Sequence, residues 1–454
     1  MSYLLPLPRP KRSRSSSMDH IATFIDDRTG DGVFRVDRRL YTDPIVFEAE
    51  MDRVFGKVWV YLCHESQVTE HGDYYATDIG KQPVFVIRQE DGGIGAFINA
   101  CAHRGAILTP RRRGNMQTIA CRFHGWCYDT RGNCTHVKDE ATGWPEGPPK
   151  SARQGLAVVP RVQTYKGFIF GCLDASVESL ETYLGETLLF IDHLADQSPD
   201  GMEVVPGGQT YMVRGNWKLN AENGVDGYHV STVHSVFVRA MQKREQMGDY
   251  KDMRRTESGR LRGTQPAGCY DFGNGHNMIW SQRETPEVMP LYEAEKRLLQ
   301  EFPKEKVDWM LRRGRNLYLF PNVHLMDQPS TQIRVTRPIA PDRTEVRVYC
   351  IAPRGESREA RAARLRKFED FYTVTGMATP DDLAALEDCQ HGANGALTRW
   401  NGLDRGLGMV SKGPDEAARD IGVNPLTSGT TYDHETLYYG FFRKWRDLMG
   451  GEAS

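Results

Sequence analysis

Residues 101–126 read CAHRGAILTPRRRGNMQTIACRFHGW and gather two cysteines and two histidines, all of metal-ligating type. One residue lies between Cys101 and His103, two between Cys121 and His124, and seventeen separate the pairs. A one-residue gap on an extended loop can point both side chains at one centre, and Gly105 and Gly125 let the backbone approach it closely. A mixed thiolate and imidazole set suits zinc or iron, so the order of the ligands has to decide. Zinc fingers place two cysteines first and two histidines after, whereas each loop here offers one of each. That order matches a [2Fe–2S] centre in which two thiolates hold one iron and two imidazoles the other, at a higher potential than an all-cysteine cluster. Buried cysteines and surface histidines in a pair of hairpins would explain either pair alone. The recurrence of both, with glycines in the same relative places, argues for the cluster. Cys127 and Cys134 repeat neither spacing and read as structural.

A second constellation lies in residues 216–234, NWKLNAENGVDGYHVSTVH. His229 and His234 are five apart, which on an ideal helix sets them about 140° from each other. Sharing a metal therefore requires the helix to end or distort between Val230 and Val233, a β-branched, Ser/Thr-bearing stretch. On spacing alone, two satisfied helix histidines are the simpler account. A third ligand has to come from elsewhere, and TPDDLAALEDCQHG (379–392) offers one. Thr379 reads as an N-cap, Pro380 as the first helical position, and Asp381 and Asp382 as acids at the positive end of the helix, which accounts for both aspartates without a metal. Two histidines and one carboxylate with open positions would nevertheless make the facial triad of non-haem Fe(II) oxygenases, where O₂ binds beside a substrate.

The elements that must carry these residues change character along the chain. From about 40 to 175, short β-branched and aromatic runs (58–62, 83–88, 94–100) alternate with turn signals such as Asp91-Gly92-Gly93, and 126–128 precedes turn residues 129–133. The run 165–173 closes this β-rich block. Val177, Leu180, Leu184, Leu188 and Ile191 recur at helical spacing and predict an amphipathic helix linking two domains. Longer strands are expected over 315–326, 331–340 and 345–352, with a helix over 357–372. Strands followed by helices predict an α+β fold.

Composition bounds the rest. At 454 residues the chain has room for two or three domains. Lys+Arg 58 against Asp+Glu 60 leaves a net charge of -2, so no nucleic-acid partner is expected. No apolar stretch is long enough to span a membrane. Nine cysteines is an odd count, far from disulfide-scaffold density, and fits a reducing, cytoplasmic setting. Residues 1–17, rich in Pro, Ser and Arg, read as a disordered tail or as a start assigned ahead of Met18; a transit peptide is the remaining reading.

Taken together, CAHRG…CRFHGW, then NWKL…EN…DGYHVSTVH, then GMATPDDL…CQ, resemble the large subunit of the Rieske non-haem iron aromatic-ring-hydroxylating oxygenases, most of all the benzoate, toluate, halobenzoate and anthranilate 1,2-dioxygenase group. The likeness runs from about Gly32 to Arg446. It implies a Rieske all-β domain (51–175) set into a helix-grip catalytic domain with an antiparallel sheet (176–454), to which 18–50 contributes an N-terminal helical segment. By the same resemblance Cys101 and Cys121 hold one Rieske iron and His103 and His124 the other, while His229, His234 and Asp382 hold a mononuclear Fe(II). Asp226 matches the carboxylate that links His124 of one subunit to His229 of its neighbour, a device that orients both rings and couples the metals. The family uses the same five-residue interval between its two histidines.

The implied activity adds O₂ to an aromatic carboxylate to give a cis-diol. Its electrons come from NADH through a separate reductase, since this chain carries no dinucleotide, flavin or plant-type ferredoxin motif. A ring-shaped homotrimer, joined by small beta subunits as α3β3, is implied too. Two other readings stand beside it: an oxygenase that cleaves an aryl ether or phenoxyacetate, and a Rieske electron carrier with a degenerate second domain. Asn223, Val230, Met326 and Met377 are candidates for the substrate pocket.

Overall fold

The computed structural model describes residues 21–147, 149, 154–247, 265–395 and 397–450; the expected tail lies outside them. In the front half, Asp73–Ile79, Gln82–Arg88 and Ile94–Ile98 form an antiparallel meander that Arg113–Asn115 extends at the first strand. The Asp91 carboxylate turns the second connection by accepting from Gly93 N. Val60–His64, Phe168–Cys172 and Arg161–Tyr165 make a second sheet, and Ile119–Ala120, Cys127–Tyr128 and Cys134–His136 a small third one. Phe85, Ile87, Phe97, Leu108, Ile119 and Tyr128 bury together as a separate core, and Cys101 and Cys121 belong to it. The two cysteine loops are thus fastened to packed strands.

The back half is built on a ten-stranded antiparallel sheet whose longest hairpin is Thr331–Ala340 with Arg343–Pro353. The stretch expected as one strand over 315–326 is two, Arg313–Leu319 and Val323–Asp327, paired with each other. Pro321 sits in the turn between them, because a residue without an N–H cannot continue a central strand. The expected linker helix is likewise two helices, Leu180–Leu184 and Leu188–Ala195, joined by the turn Gly185–Thr187. Gly185, at φ 51°, ends the first. The apolar spacing survives the break, since Leu180, Leu184 and Ile191 all stay buried.

The segment expected to be helical before residue 50 is mixed. Ile25–Arg28 and Val33–Asp37 form a hairpin, and Trp400–Gly402 pairs with its second strand. That partner lies more than three hundred residues away, so no local pattern announces it. Among the described residues there, only Pro44–Glu50 and short turns are helical.

Glu50 ties this segment to the catalytic half. Its carboxylate is fully buried and accepts from Lys218 Nζ (2.5 Å), Trp217 Nε1 (2.8 Å) and Trp445 Nε1 (2.7 Å). Trp217 and Lys218 open the Trp217–Asn223 helix, and Trp445 belongs to the terminal Tyr438–Gly450 helix. One carboxylate therefore clamps three distant parts of the chain. Removing it leaves a buried ammonium unpaired, at a cost of roughly 3–5 kcal/mol. Glu50→Ala should lower the free energy of unfolding by that amount in chemical denaturation; a change under about 1 kcal/mol would contradict the clamp.

Candidate metal centres

The loops carrying Cys101 and Cys121 share one backbone design. In each, the cysteine N–H donates to the carbonyl five residues on (Ala106, 2.8 Å; Trp126, 2.7 Å), and the glycine N–H four residues on donates back to the cysteine carbonyl (Gly105, 2.8 Å; Gly125, 2.9 Å). Both glycines have positive φ, 70° and 73°, which closes the turn without a Cβ clash. The one-residue difference in histidine position is absorbed inside an identical frame. Cys101 and Cys121 are buried, His103 is exposed and His124 partly so. The two imidazoles lie 4.6 Å apart between centroids, and His103 stacks on Trp126 at 4.8 Å. The Tyr128 hydroxyl lies 3.1 Å from Cys101 Sγ, where it can donate to a thiolate and tune its potential.

None of the nine cysteines is joined in a disulfide. Among the described residues, the only group of three or more Cys, His, Asp or Glu with donor atoms all within 4.8 Å of one another is the second constellation. The four loop ligands are more spread than four ligands of a single zinc, and two thiolates with two imidazoles suit a two-iron cluster.

That second group is His229, His234 and Asp382. The helical turn Val230–Val233 stops at His234, whose backbone leaves helical geometry (φ -92°, ψ 18°), and a new helix runs Ser235–Met247. The distortion expected between Val230 and Val233 thus falls at His234 itself and turns the two rings toward each other, with the Nε2 atoms 3.2 Å apart. Asp382 Oδ1 lies 3.3 Å from each Nε2. Ligands about 2.1 Å from one ion and about 100° apart have this separation. Without a cation the arrangement is awkward, because two ring N–H groups aimed at Asp382 Oδ1 also face each other. The donors present fit a mononuclear metal with one open side.

Asp382 lies on the Thr379–Gly392 helix, where it is buried and Asp381 more exposed. The helix starts one residue earlier than expected: Ala378 occupies the cap position, and Thr379 Oγ1 donates to Tyr372 O (3.0 Å). Burial pushes the Asp382 carboxyl up, but the two imidazoles outweigh it and hold it below its ordinary value. Burial likewise opposes charge on His229, yet Asp226 and Asp382 prevail and raise it to about 9. Asp226 serves twice. Oδ1 accepts from Tyr228 N (2.7 Å) and His229 N (3.2 Å), capping the turn, while Oδ2 lies 3.3 Å from His229 Nδ1, close though poorly aligned.

The triad opens on a cavity of ≈ 220 Å³, whose walls include Phe237, Ile279, Met326 and Phe371. That is below the ~300–1,000 Å³ of drug-sized ligand sites and suits a small ring. Of the pocket candidates, Asn223, Val230 and Met326 line it and Met377 does not. Asn223 Nδ2 donates to Asp382 Oδ1 (3.2 Å). Arg334, Asn316 and Phe371 also line the cavity and escaped the sequence reading, since they come from separate strands and a helix with no shared motif.

An α+β chain with a two-Cys, two-His pair of loops and a separate His-His-Asp site under an antiparallel sheet defines a Rieske non-haem iron oxygenase. Residues 202–451 match the ring hydroxylating alpha subunit (catalytic domain) family and residues 58–165 the Rieske [2Fe-2S] domain, and the chain belongs to the ring-hydroxylating dioxygenase alpha subunits. It is 43% identical over 434 residues to toluate 1,2-dioxygenase subunit alpha of Pseudomonas putida, covering 95% of this chain and 94% of that one. With the 2-halobenzoate 1,2-dioxygenase large subunit of Burkholderia cepacia it shares 41% over 92% of this chain and 90% of the other. Naphthalene 1,2-dioxygenase from Rhodococcus sp., solved with indole bound, superposes with a TM-score of 0.78 at 25% identity, over 92% of this chain and 95% of that one. Membership brings two cofactors, a Rieske [2Fe–2S] cluster and a mononuclear iron. Among the described residues, no helix is long and apolar enough to cross a membrane.

If the triad is the mononuclear site, Asp382→Ala should lower iron from about three to about two per chain while the visible absorbance of the cluster persists. Metal analysis of the purified variant reads this directly, and three retained irons would count against the triad.

Proposed function

We propose that this chain is the large subunit of a terminal oxygenase that adds O₂ to a benzoate-type aromatic carboxylate, with electrons from NADH delivered by a separate reductase. The observation that carries the reading is the His229–His234–Asp382 site lining a small, mostly apolar cavity, in a chain that matches toluate, 2-halobenzoate and anthranilate dioxygenase subunits over more than nine-tenths of its length. Cys101 and Cys121 hold one iron of the cluster, His103 and His124 the other, and His229, His234 and Asp382 the mononuclear iron. Residues 51–175 make the Rieske domain; 176–454, with 18–50, make the catalytic one.

When bound, the cluster supplies single electrons and the mononuclear iron the place where O₂ is reduced beside the ring. Arene, O₂, two electrons and two protons balance to a cis-dihydrodiol. The residues of this chain do the positioning. Asp226 fixes the His229 ring from behind and caps the turn that carries it. Asn223 donates to the same Asp382 oxygen that faces the two histidines and so steadies it. Phe237, Ile279 and Phe371 exclude water from the ring's place.

Asp226 keeps about a third of its side chain exposed (32%), enough to accept from a second imidazole, and we assign that partner to His124 of a neighbouring copy. Phe123 and Ile107 are exposed beside the cluster loops and Tyr228 beside Asp226, an apolar complement that suits an interface between copies in a ring-shaped homotrimer. Beta subunits complete the assembly as α3β3. The electron-carrier reading leaves the triad and its cavity without a purpose.

Oxygen uptake with a suitable reductase and a panel of benzoate, anthranilate, 2-halobenzoates and phenoxyacetate tests the reading. Ring acids are expected to give diol or catechol products, and turnover of phenoxyacetate alone would overturn it. Asp226→Ala should keep both metals while turnover falls about 100-fold. Near-normal turnover would remove the bridging role.

A further inference from the structure

Five arginines are buried among the described residues: Arg283, Arg315, Arg334, Arg347 and Arg364. Four of them pair with a carboxylate within the fold. Arg283 and Arg315 share Asp327, Arg347 meets Glu345 and Asp78, and Arg364 meets Glu356. Arg334, only 5% exposed, has no carboxylate within 4 Å among the described residues. Its one hydrogen bond to another side chain runs from Nη1 to Asn223 Oδ1 (3.1 Å), and its buried Nε has no partner. A guanidinium buried without a counter-ion is costly unless something else brings the negative charge.

The place where that charge could enter is the cavity, since Arg334 lines it. The residue stands in the Thr331–Ala340 strand between His324 and Val348, under the Trp217–Asn223 helix, whose Asn220 bonds Thr336 two residues further on. Strand and helix thus hold the guanidinium in place before any ligand arrives. The nearest acid by connection is Asp382, reached through Asn223 by hydrogen bonds of 3.1 and 3.2 Å, and that carboxylate already faces the two histidines.

We propose that Arg334 is the specificity-determining anchor for the substrate's carboxylate, which it receives as a charge-assisted, forked hydrogen-bonded pair. This deepens the benzoate-type reading and rests on it. The anchor's position has a regiochemical consequence. A carboxylate is one bond from the ring carbon that bears it, so an anchor two hydrogen bonds from Asp382 holds that carbon and its neighbour nearest the triad. Remote ring positions are held away.

The alternative role for Arg334 is to steady Asn223, and through it Asp382, with no contact to substrate. Equilibrium binding separates the two. Titration calorimetry of the purified oxygenase compares benzoate with benzamide, its neutral counterpart. Arg334→Met should weaken benzoate by about 100-fold while benzamide changes less than about threefold. Should that variant lose the visible absorbance of the cluster, Arg334→Lys carries the same comparison: about a tenfold loss for benzoate, with benzamide unchanged, because a point charge replaces the fork. Equal losses for both ligands, or unaltered benzoate binding, would overturn the anchor. Wild-type protein that binds benzamide but no benzoate would instead sink the carboxylate reading beneath it.

Discussion

Three donor atoms on two distant pieces of chain, His229 Nε2, His234 Nε2 and Asp382 Oδ1, are held 3.2–3.3 Å apart. Neutral imidazoles do not rest against each other and a carboxylate in this way without a cation or an extra proton among them. Much of the back half of the molecule can be understood as what it takes to hold that geometry. The helix carrying both histidines must break at His234, the Thr379–Gly392 helix must present Asp382 from beneath, and Asn223 must brace that carboxylate. The brace stands on the Trp217–Asn223 helix, whose first turn is clamped by Glu50 to the front and the end of the chain. A fully buried ion pair sited away from the triad contributes rigidity without competing for its donor atoms.

Charge is apportioned with equal economy. Among the described residues, four of the five buried arginines are matched by a carboxylate within the fold, and the one at the cavity is the exception. Two acids, Asp226 and Asp382, face the histidines, and a single unmatched guanidinium faces the space where a small ring fits. In the front half the order is inverted. The thiols are inside the packed core and the imidazoles outside, so the histidine edge is the one available to a neighbour. A carboxylate that remains partly exposed next to His229 is its natural counterpart in the proposed assembly.

How much of this could be read from sequence depended on whether the information was local. The cluster loops were legible because glycine and cysteine types at fixed offsets encode a backbone frame, and that frame recurs in both loops down to individual hydrogen bonds. The five-residue interval between His229 and His234 was legible as a problem, and the structure answers it with a helix break. Pro321 could have announced a hairpin where one strand was expected, since the missing N–H is a local fact. The Ile25–Asp37 hairpin could not, because its pairing with Trp400–Gly402 is purely tertiary. Arg334 was invisible for a related reason. An arginine in a strand is ordinary in sequence, and only the absence of a facing carboxylate, a property of the whole fold, marks it out. Thr379 looked like a cap by type, but its hydroxyl is drawn to the Tyr372 carbonyl instead.

The central claim is that the cluster and the triad together put both atoms of O₂ onto adjacent carbons of a ring acid. A single turnover of the chemically reduced oxygenase with benzoate under ¹⁸O₂, in the absence of any reductase, tests it most directly. The account predicts a cis-diol in which both new oxygens carry the label and the carboxylate-bearing carbon is one of the two positions. A product with one labelled oxygen, or label at ring positions remote from the carboxylate, would contradict it.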